Sequence, residues 1–205
     1  MIINNKLKQV VLEGGAIDVN GKGSILLTKE CLLSKIQERN PGITKHVLEN
    51  VLKKYLNVTN FIWLNKGIEG DDTHGHIDDI ARFVSKNKIF IAKENNKKDK
   101  NFKNLNENIK IVKEFKRVNK EKFKIIYLPM PKPKFINGIR VPASYLNFYI
   151  ANKLVLVPVF NDSNDKIIIK IFKKHFKNRK IVPINCSTLV WGLGTLHCLT
   201  QQEPM

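Results

Sequence analysis

A histidine and several carboxylates stand directly ahead of an apolar run in the segment from Glu69 to Val84, so acid–base chemistry is expected there. If Ile77 to Val84 is extended, His76 and Asp78 share one side of the strand, because side chains two residues apart point the same way. An imidazole beside a carboxylate can move a proton and hold a cation, but it supplies no nucleophile. A candidate nucleophile stands far along the chain, at Cys198 in Gly194-Thr195-Leu196-His197-Cys198-Leu199-Thr200. Other readings of the same residues stay open. His74 competes with His76 for the acid–base role. Asp71, Asp72, His74, His76, Asp78 and Asp79 form a set suited to a divalent ion, although His-x-His with flanking Asp lacks a third ligand at a recognisable spacing. Cys198 is either a small buried apolar residue or a thiolate stabilised by nearby positive charge, from His76 or from a cationic substrate. His197 would point the other way on a strand, which makes it a poor base for Cys198. Cys186, in Ile184-Asn185-Cys186-Ser187, reads as structural.

The chain that must position these groups has 205 residues and 42% hydrophobic content, enough for one domain with a real core. Its formal charge of +18 comes from 36 Lys+Arg against 18 Asp+Glu. Such a balance suits nucleic acid or an anionic surface, but the lysines are spread from Lys6 to Lys180 among Asn and Ile. That spread reads as compositional bias, and nucleic-acid binding is not expected. No stretch has the length of a signal-peptide core or of a membrane span, so a cytoplasmic location with no membrane partner is expected. Cys31, Cys186 and Cys198 are too irregularly spaced for a disulfide framework or zinc pairs, so free thiols are expected.

Taken in order, Gln9 to Glu13 is a strand candidate ended by Gly14-Gly15, and Ser24 to Thr28 pairs with it across the turn Asn20-Gly21-Lys22-Gly23. Glu13 is a solvated strand end or a carboxylate placed where backbone packs closely. Thr44 caps a helix through Leu56, with His46 on its exposed side, and Asn60 to Leu64 is a buried strand. Ala81 to Val84 and Ile89 to Ala92 are strands joined by Ser85-Lys86-Asn87-Lys88. Asn95 to Asn104 reads as a surface loop, Leu105 to Val118 as a helix, Phe123 to Leu128 as a strand, and Pro129 to Pro133 as irregular. A hairpin of Ser144 to Ile150 with Leu154 to Phe160 precedes a basic amphipathic helix from Asp165 to Phe176 and a strand from Ile181 to Ile184. The recurring order strand, strand, helix, strand predicts an α/β domain of small modules.

Several blocks together resemble the agmatine deiminase and bacterial-type peptidylarginine deiminase family of guanidine-modifying enzymes. They are Glu13-Gly14-Gly15; Trp63-Leu64 with Gly67; Asp72-Thr73; Gly75-His76-Ile77-Asp78 with Ala81-Arg82-Phe83; Pro142-Ala143-Ser144-Tyr145-Leu146-Asn147-Phe148-Tyr149; and His197-Cys198-Leu199-Thr200-Gln201-Gln202-Glu203-Pro204. They occur in the family's order across nearly the whole chain. The resemblance implies a pentein-like fan of ββαβ modules around a central pocket, and hydrolysis of a guanidinium to a ureido group and ammonia without metal or organic cofactor. It implies Cys198 as nucleophile, His76 as general acid/base, Asp78 as the carboxylate that holds the guanidinium, and Glu13 as the group that orients or charge-balances His76. Agmatine, giving N-carbamoylputrescine on the way to putrescine, is the expected substrate, with a peptidylarginine or arginine-type substrate as the alternative.

The family also carries an upstream Arg-Asp-x-Gly-Pro type motif with a second guanidinium-binding aspartate, and this sequence has no counterpart. Residues 1–205 are therefore expected to correspond to the C-terminal portion of the family, about three of five modules. Its partners would be a small guanidinium substrate and a separately encoded N-terminal half; the competing reading is a non-catalytic relic or binding module. Two local departures are His74, where the family often has Asp or Asn, and Leu193, which interrupts the glycine-rich run before His197-Cys198.

Overall fold

Apolar strands separated by turn residues and amphipathic helices build the same unit three times in the computed structural model, which describes residues 2–3, 6–7, 9–116 and 121–203. A short antiparallel hairpin of β1 (Ile2–Ile3) and β2 (Lys6–Leu7) comes first. The first unit is β3 (Asp18–Val19), β4 (Ser24–Thr28), α1 (Lys29–Leu33), α2 (Lys45–Leu56) and β5 (Asn60–Leu64). The second is β6 (Ala81–Ser85), β7 (Lys88–Lys93), α3 (Asn101–Glu114) and β8 (Lys124–Pro129). A small hairpin of β9 (Lys134–Ile136) and β10 (Ile139–Val141) separates it from the third unit, β11 (Tyr149–Ile150), β12 (Leu154–Val159), α4 (Asp165–His175) and β13 (Lys180–Asn185). In each unit the first two strands pair antiparallel and the last joins the middle strand in parallel. A parallel return needs a crossover, and the helices provide it.

Every residue of β4 is buried because both faces of its sheet are covered. Leu26, Ile62 and Leu64 face the large core shared with the other units, whereas Ile25, Leu27 and Trp63 pack with Leu48 and Leu52 of α2. The second and third units meet through Phe90, Phe148 and Phe172, whose rings cross nearly edge to face, with centroids 5.0 Å apart for Phe148–Phe172 and 5.1 Å for Phe90–Phe172. Thr44 caps α2 by accepting a hydrogen bond from the Val47 N–H at 3.3 Å, and Asn57 ends it in the left-handed region at φ 51°. Among the described residues no helix is long and apolar enough to cross a membrane.

The modular α/β reading agrees with this architecture, and several boundaries differ. Gln9 to Glu13 forms no strand; Asp18–Val19 is the partner of β4 instead, because the turn at Asn20 to Gly23 leaves room for only the residues beside it. Ile77–Asp79 is a single 3₁₀ turn, so the extended segment starts only at Ala81. The expected loop to Asn104 gives way to helix at Asn101, where the buried Asn101 side chain accepts the Glu69 N–H at 2.7 Å. α3 stops at Glu114, and Val118, the expected helix end, lies outside the described residues, as does Pro204. Ser144 to Phe148 is a loop, leaving only Tyr149–Ile150 as strand. The hairpin at Asn137-Gly138 was not expected, although Asn-Gly between short apolar runs is a strong turn signal.

Candidate active site

His76 is presented by a loop that Asp71 closes on itself. One carboxylate oxygen of Asp71 accepts the N–H groups of Gly75 and His76 at 2.8 and 3.1 Å, and the other accepts from the Thr73 N–H and hydroxyl. Gly75 sits at φ 92°, which suits a residue without Cβ, and the Thr28 hydroxyl donates to its carbonyl at 2.5 Å. The following 3₁₀ turn buries Asp78 and Asp79 completely or nearly so. His74 is exposed and its Nδ1 turns to the Asp72 carbonyl at 2.8 Å, so it stays outside the cluster around His76.

Glu13 meets His76 from the segment just ahead of β3. Its Oε2 lies 2.7 Å from His76 Nε2 and accepts from Arg39 Nε at 2.7 Å, while the Cys31 thiol approaches the same oxygen at 3.8 Å. Burial alone would raise the Glu13 pKa, but the hydrogen bonds and charges of His76 and Arg39 outweigh it and hold the carboxyl below its usual range. Gly15 follows in the same turn, and a Cβ there would stand 2.5 Å from His76 Nδ1 and 3.0 Å from Asp78 Oδ2. The close packing of backbone on the imidazole therefore requires glycine at this position.

The C-terminal segment brings in Cys198. A 3₁₀ turn at Leu189–Gly192 ends with Leu193 in the left-handed region at φ 61°, and Gly194 has no space for a side chain, since a Cβ would be 2.8 Å from Cys198 Cβ. Residues 197 and 198 then lie in a turn, so the strand geometry expected for His197 does not apply. Its Nδ1 reaches Asp78 Oδ2 at 2.7 Å, and Cys198 Sγ lies 3.6 Å from that oxygen. Asp78 Oδ1 is buried and has no hydrogen-bond partner among the described residues. Burial first, then the charges of Asp78 and Asp79, push the Cys198 thiol up to about 12. Asp79, buried beside Asp78 and Asp71, has its pKa raised well above the usual carboxyl value, first by burial and then by those two neighbouring carboxylates.

Glu13, His76, Asp78 and Cys198 thus line one cleft of about 560 Å³, together with Asp72, Thr73, Leu193 and His197. A carboxylate, an imidazole and a thiol around such a cleft can seat a cation, move a proton and attack a carbon centre. Cys186 is fully buried elsewhere, with its thiol pushed up to about 11 by burial. The six-residue metal reading does not fit, because Asp71 is spent on backbone N–H groups and Asp79 turns to Asn147. Among the described residues the trio with converging ligand atoms is Glu13, Cys31 and His76, and Arg39 already occupies the shared oxygen with a positive charge. Sequence reasoning missed Arg39, Asn147 and the role of His197. Arg39 is 26 residues from Glu13 with no motif between them, whereas Asn147, a polar residue inside an apolar run, carried a signal.

The family model for Porphyromonas-type peptidyl-arginine deiminase matches residues 2–204. A curated protein of Legionella pneumophila (strain Paris) that carries a provisional agmatine deiminase name is 38% identical over 196 residues, 95% of this chain and 56% of that protein. The solved structure of the agmatine deiminase of Enterococcus faecalis is 32% identical, with a TM-score of 0.87 over 95% of this chain and 57% of that one. A cysteine-to-serine variant of C. jejuni agmatine deiminase with substrate bound is 33% identical, with a TM-score of 0.85 over 93% of this chain and 55% of that one. An amidinotransferase from Microseira wollei, 16% identical at a TM-score of 0.52, shares the fold alone. The chain has part of a pentein fold and spans about half the length of the curated relatives it matches.

Proposed function

Because the chain belongs to the Porphyromonas-type peptidyl-arginine deiminase family, we propose that it carries the nucleophile and proton-transfer side of a guanidine deiminase acting on agmatine. The observation that carries this reading is the buried Oδ1 of Asp78, unpartnered among the described residues, beside the cleft sulfur. A buried acceptor without a donor is costly, and a guanidinium supplies N–H donors in one plane together with a full positive charge. Seated on Asp78, that cation offsets the carboxylate charges that keep Cys198 protonated, so the substrate itself promotes thiolate formation.

The steps then balance. Cys198 gives its proton to His76 and forms a bond from sulfur to the guanidinium carbon. The carbon–nitrogen bond breaks as His76 returns the proton to the departing nitrogen, which leaves as ammonia. His76 next takes a proton from water, whose oxygen attacks the amidino-cysteine carbon; the carbon–sulfur bond breaks, leaving a ureido product and the thiol. Glu13 and Arg39 hold the imidazole ring from its Nε2 side, which leaves the Nδ1 edge next to Gly15 at the cleft.

Two relatives' names favour agmatine, whereas the family's own description favours peptidyl-arginine, so both substrates belong in the test. Ureido product is measured colorimetrically from each, with this chain alone and with the remaining family segment added. Cys198→Ala is expected to abolish product and Cys186→Ala to leave it intact. No product from either substrate under both conditions overturns the reading.

A further inference from the structure

Lysines scattered along the chain gather at one end of the fold. In each unit the two parallel strands start side by side, with Ser24 opposite Asn60, Lys88 opposite Lys124 and Leu154 opposite Lys180. The crossover helices run the other way, so α2, α3 and α4 finish at this same end, each with lysine in its last turn. Cations there complement the helix dipole. That accounts for the helical lysines but not for Lys22, Lys86, Lys88, Lys124, Lys153 and Lys180, which stand on the turns and strand starts.

Two contacts join the units into one basic face. The Asn20 side chain donates to the Lys86 carbonyl at 2.8 Å, linking the turns of the first and second units. From the third unit, His175 lies edge-on to Phe90 with ring centroids 5.4 Å apart. Burial first, then the charges of Lys88, Lys174 and Lys124, hold the His175 pKa below the usual imidazole value. Among the described residues none of the six turn lysines forms an ion pair. Glu114 and Glu121 are the carboxylates that the end of α3 and the approach to β8 bring here. The acids of the cleft stand at the far ends of the strands, where the Ala92 N–H donates to the Ile80 carbonyl at 2.9 Å just after Asp78 and Asp79. Exposed apolar side chains adjoin the lysines: Val19 and Leu56 line one hollow with Lys22, and Tyr55 beside them is 64% exposed.

We propose that this end of the molecule docks on an anionic lipid surface, its lysines against headgroup phosphates and Val19, Tyr55 and Leu56 entering the interface. Polybasic faces are drawn to such surfaces, and tyrosine suits the headgroup level. Nucleic acid fits less well, because its recognition favours the planar fork of arginine and open stacking rings. Arg179 spends its Nε on the Ala151 carbonyl at 3.0 Å, and the Tyr55 ring already lies under Lys54 Nζ at 5.4 Å. Docked this way, the cleft faces away from the lipid.

Flotation of the whole chain with phosphatidylcholine vesicles, with and without about one-third phosphatidylglycerol, measures the docking. Binding is expected to the anionic vesicles alone, falling about tenfold or more between ~50 and ~300 mM salt. Replacing the exposed Lys86, Lys124 and Lys180 together by Gln should weaken it by about tenfold or more. Replacing Lys97, Lys98 and Lys103 by Gln removes the same charge from exposed positions at the cleft end, and should change it by less than about twofold. Tyr55→Ser with Leu56→Ser should weaken binding by about threefold and leave its salt dependence in place. All these positions are exposed, and melting temperatures check that each variant is folded. Equal losses in the two triple variants overturn the proposal, as does binding to neutral vesicles. Release of the chain from anionic vesicles by duplex RNA at equal phosphate concentration overturns it in favour of nucleic acid.

Discussion

At Glu13 one oxygen serves two donors at 2.7 Å, a guanidinium that is always charged and an imidazole that is charged only when protonated. The carboxyl is held below its unfolded value, so its contribution to stability is present above that value and fades as pH falls through the lower folded one. Glu13→Gln should therefore melt at a lower temperature than the parent near neutral pH. The gap should close as pH is taken below the ordinary carboxylate range; a gap that stays constant in thermal melts across that range would contradict the pairing. Motif residues such as His76, Asp78 and Cys198 were legible because their chemistry is rare in sequence. Arg39 was not, since a guanidinium gains meaning only from partners brought in by the fold, and Asn147 showed only its polarity within an apolar run.

Among the elements, the contact between the first unit and the loop carrying Asn147 runs through Arg82 of β6. Its Nε pairs with Asp18 Oδ1 of β3 at 2.6 Å, its Nη1 donates to the Leu146 and Phe148 carbonyls at 3.4 and 3.1 Å, and its guanidinium lies 4.8 Å from the Phe148 ring centre. Both side chains are largely shielded, so removing one partner leaves a buried charge uncompensated. Arg82→Ala should cost about 3–5 kcal/mol in chemical denaturation. Substituting both Arg82 and Asp18 by apolar residues should cost less than the two single changes summed. Strands β4, β5 and β7 and helices α2 and α4 were readable because each shows a sustained period and a clear cap or turn. The Ile77–Asp79 turn was not, since one 3₁₀ turn is too short to display a period of its own and its apolar flanks imitate a strand.

For the molecule as a whole, a charge of +18 on 205 residues works against compactness through self-repulsion. Raising salt from about 50 to 500 mM should screen that repulsion and lift the melting temperature by a few degrees, as measured by calorimetry. A melting temperature that falls with added sodium chloride would show that surface ion pairs outweigh the repulsion. The modular plan was visible in sequence, while the convergence of three chain segments on one cleft was not, because periodicity says nothing about how units are set against each other. The two tryptophans sit in contrasting places. Trp63 is buried with its indole N–H on Glu49 at 2.7 Å, whereas Trp191 is 63% exposed on the turn between cleft-lining Leu189 and Gly192. The chain thus contains its own optical gauge: a change in emission on filling the cleft would originate at Trp191 against a steady background from Trp63, so occupancy can be followed without any attached dye.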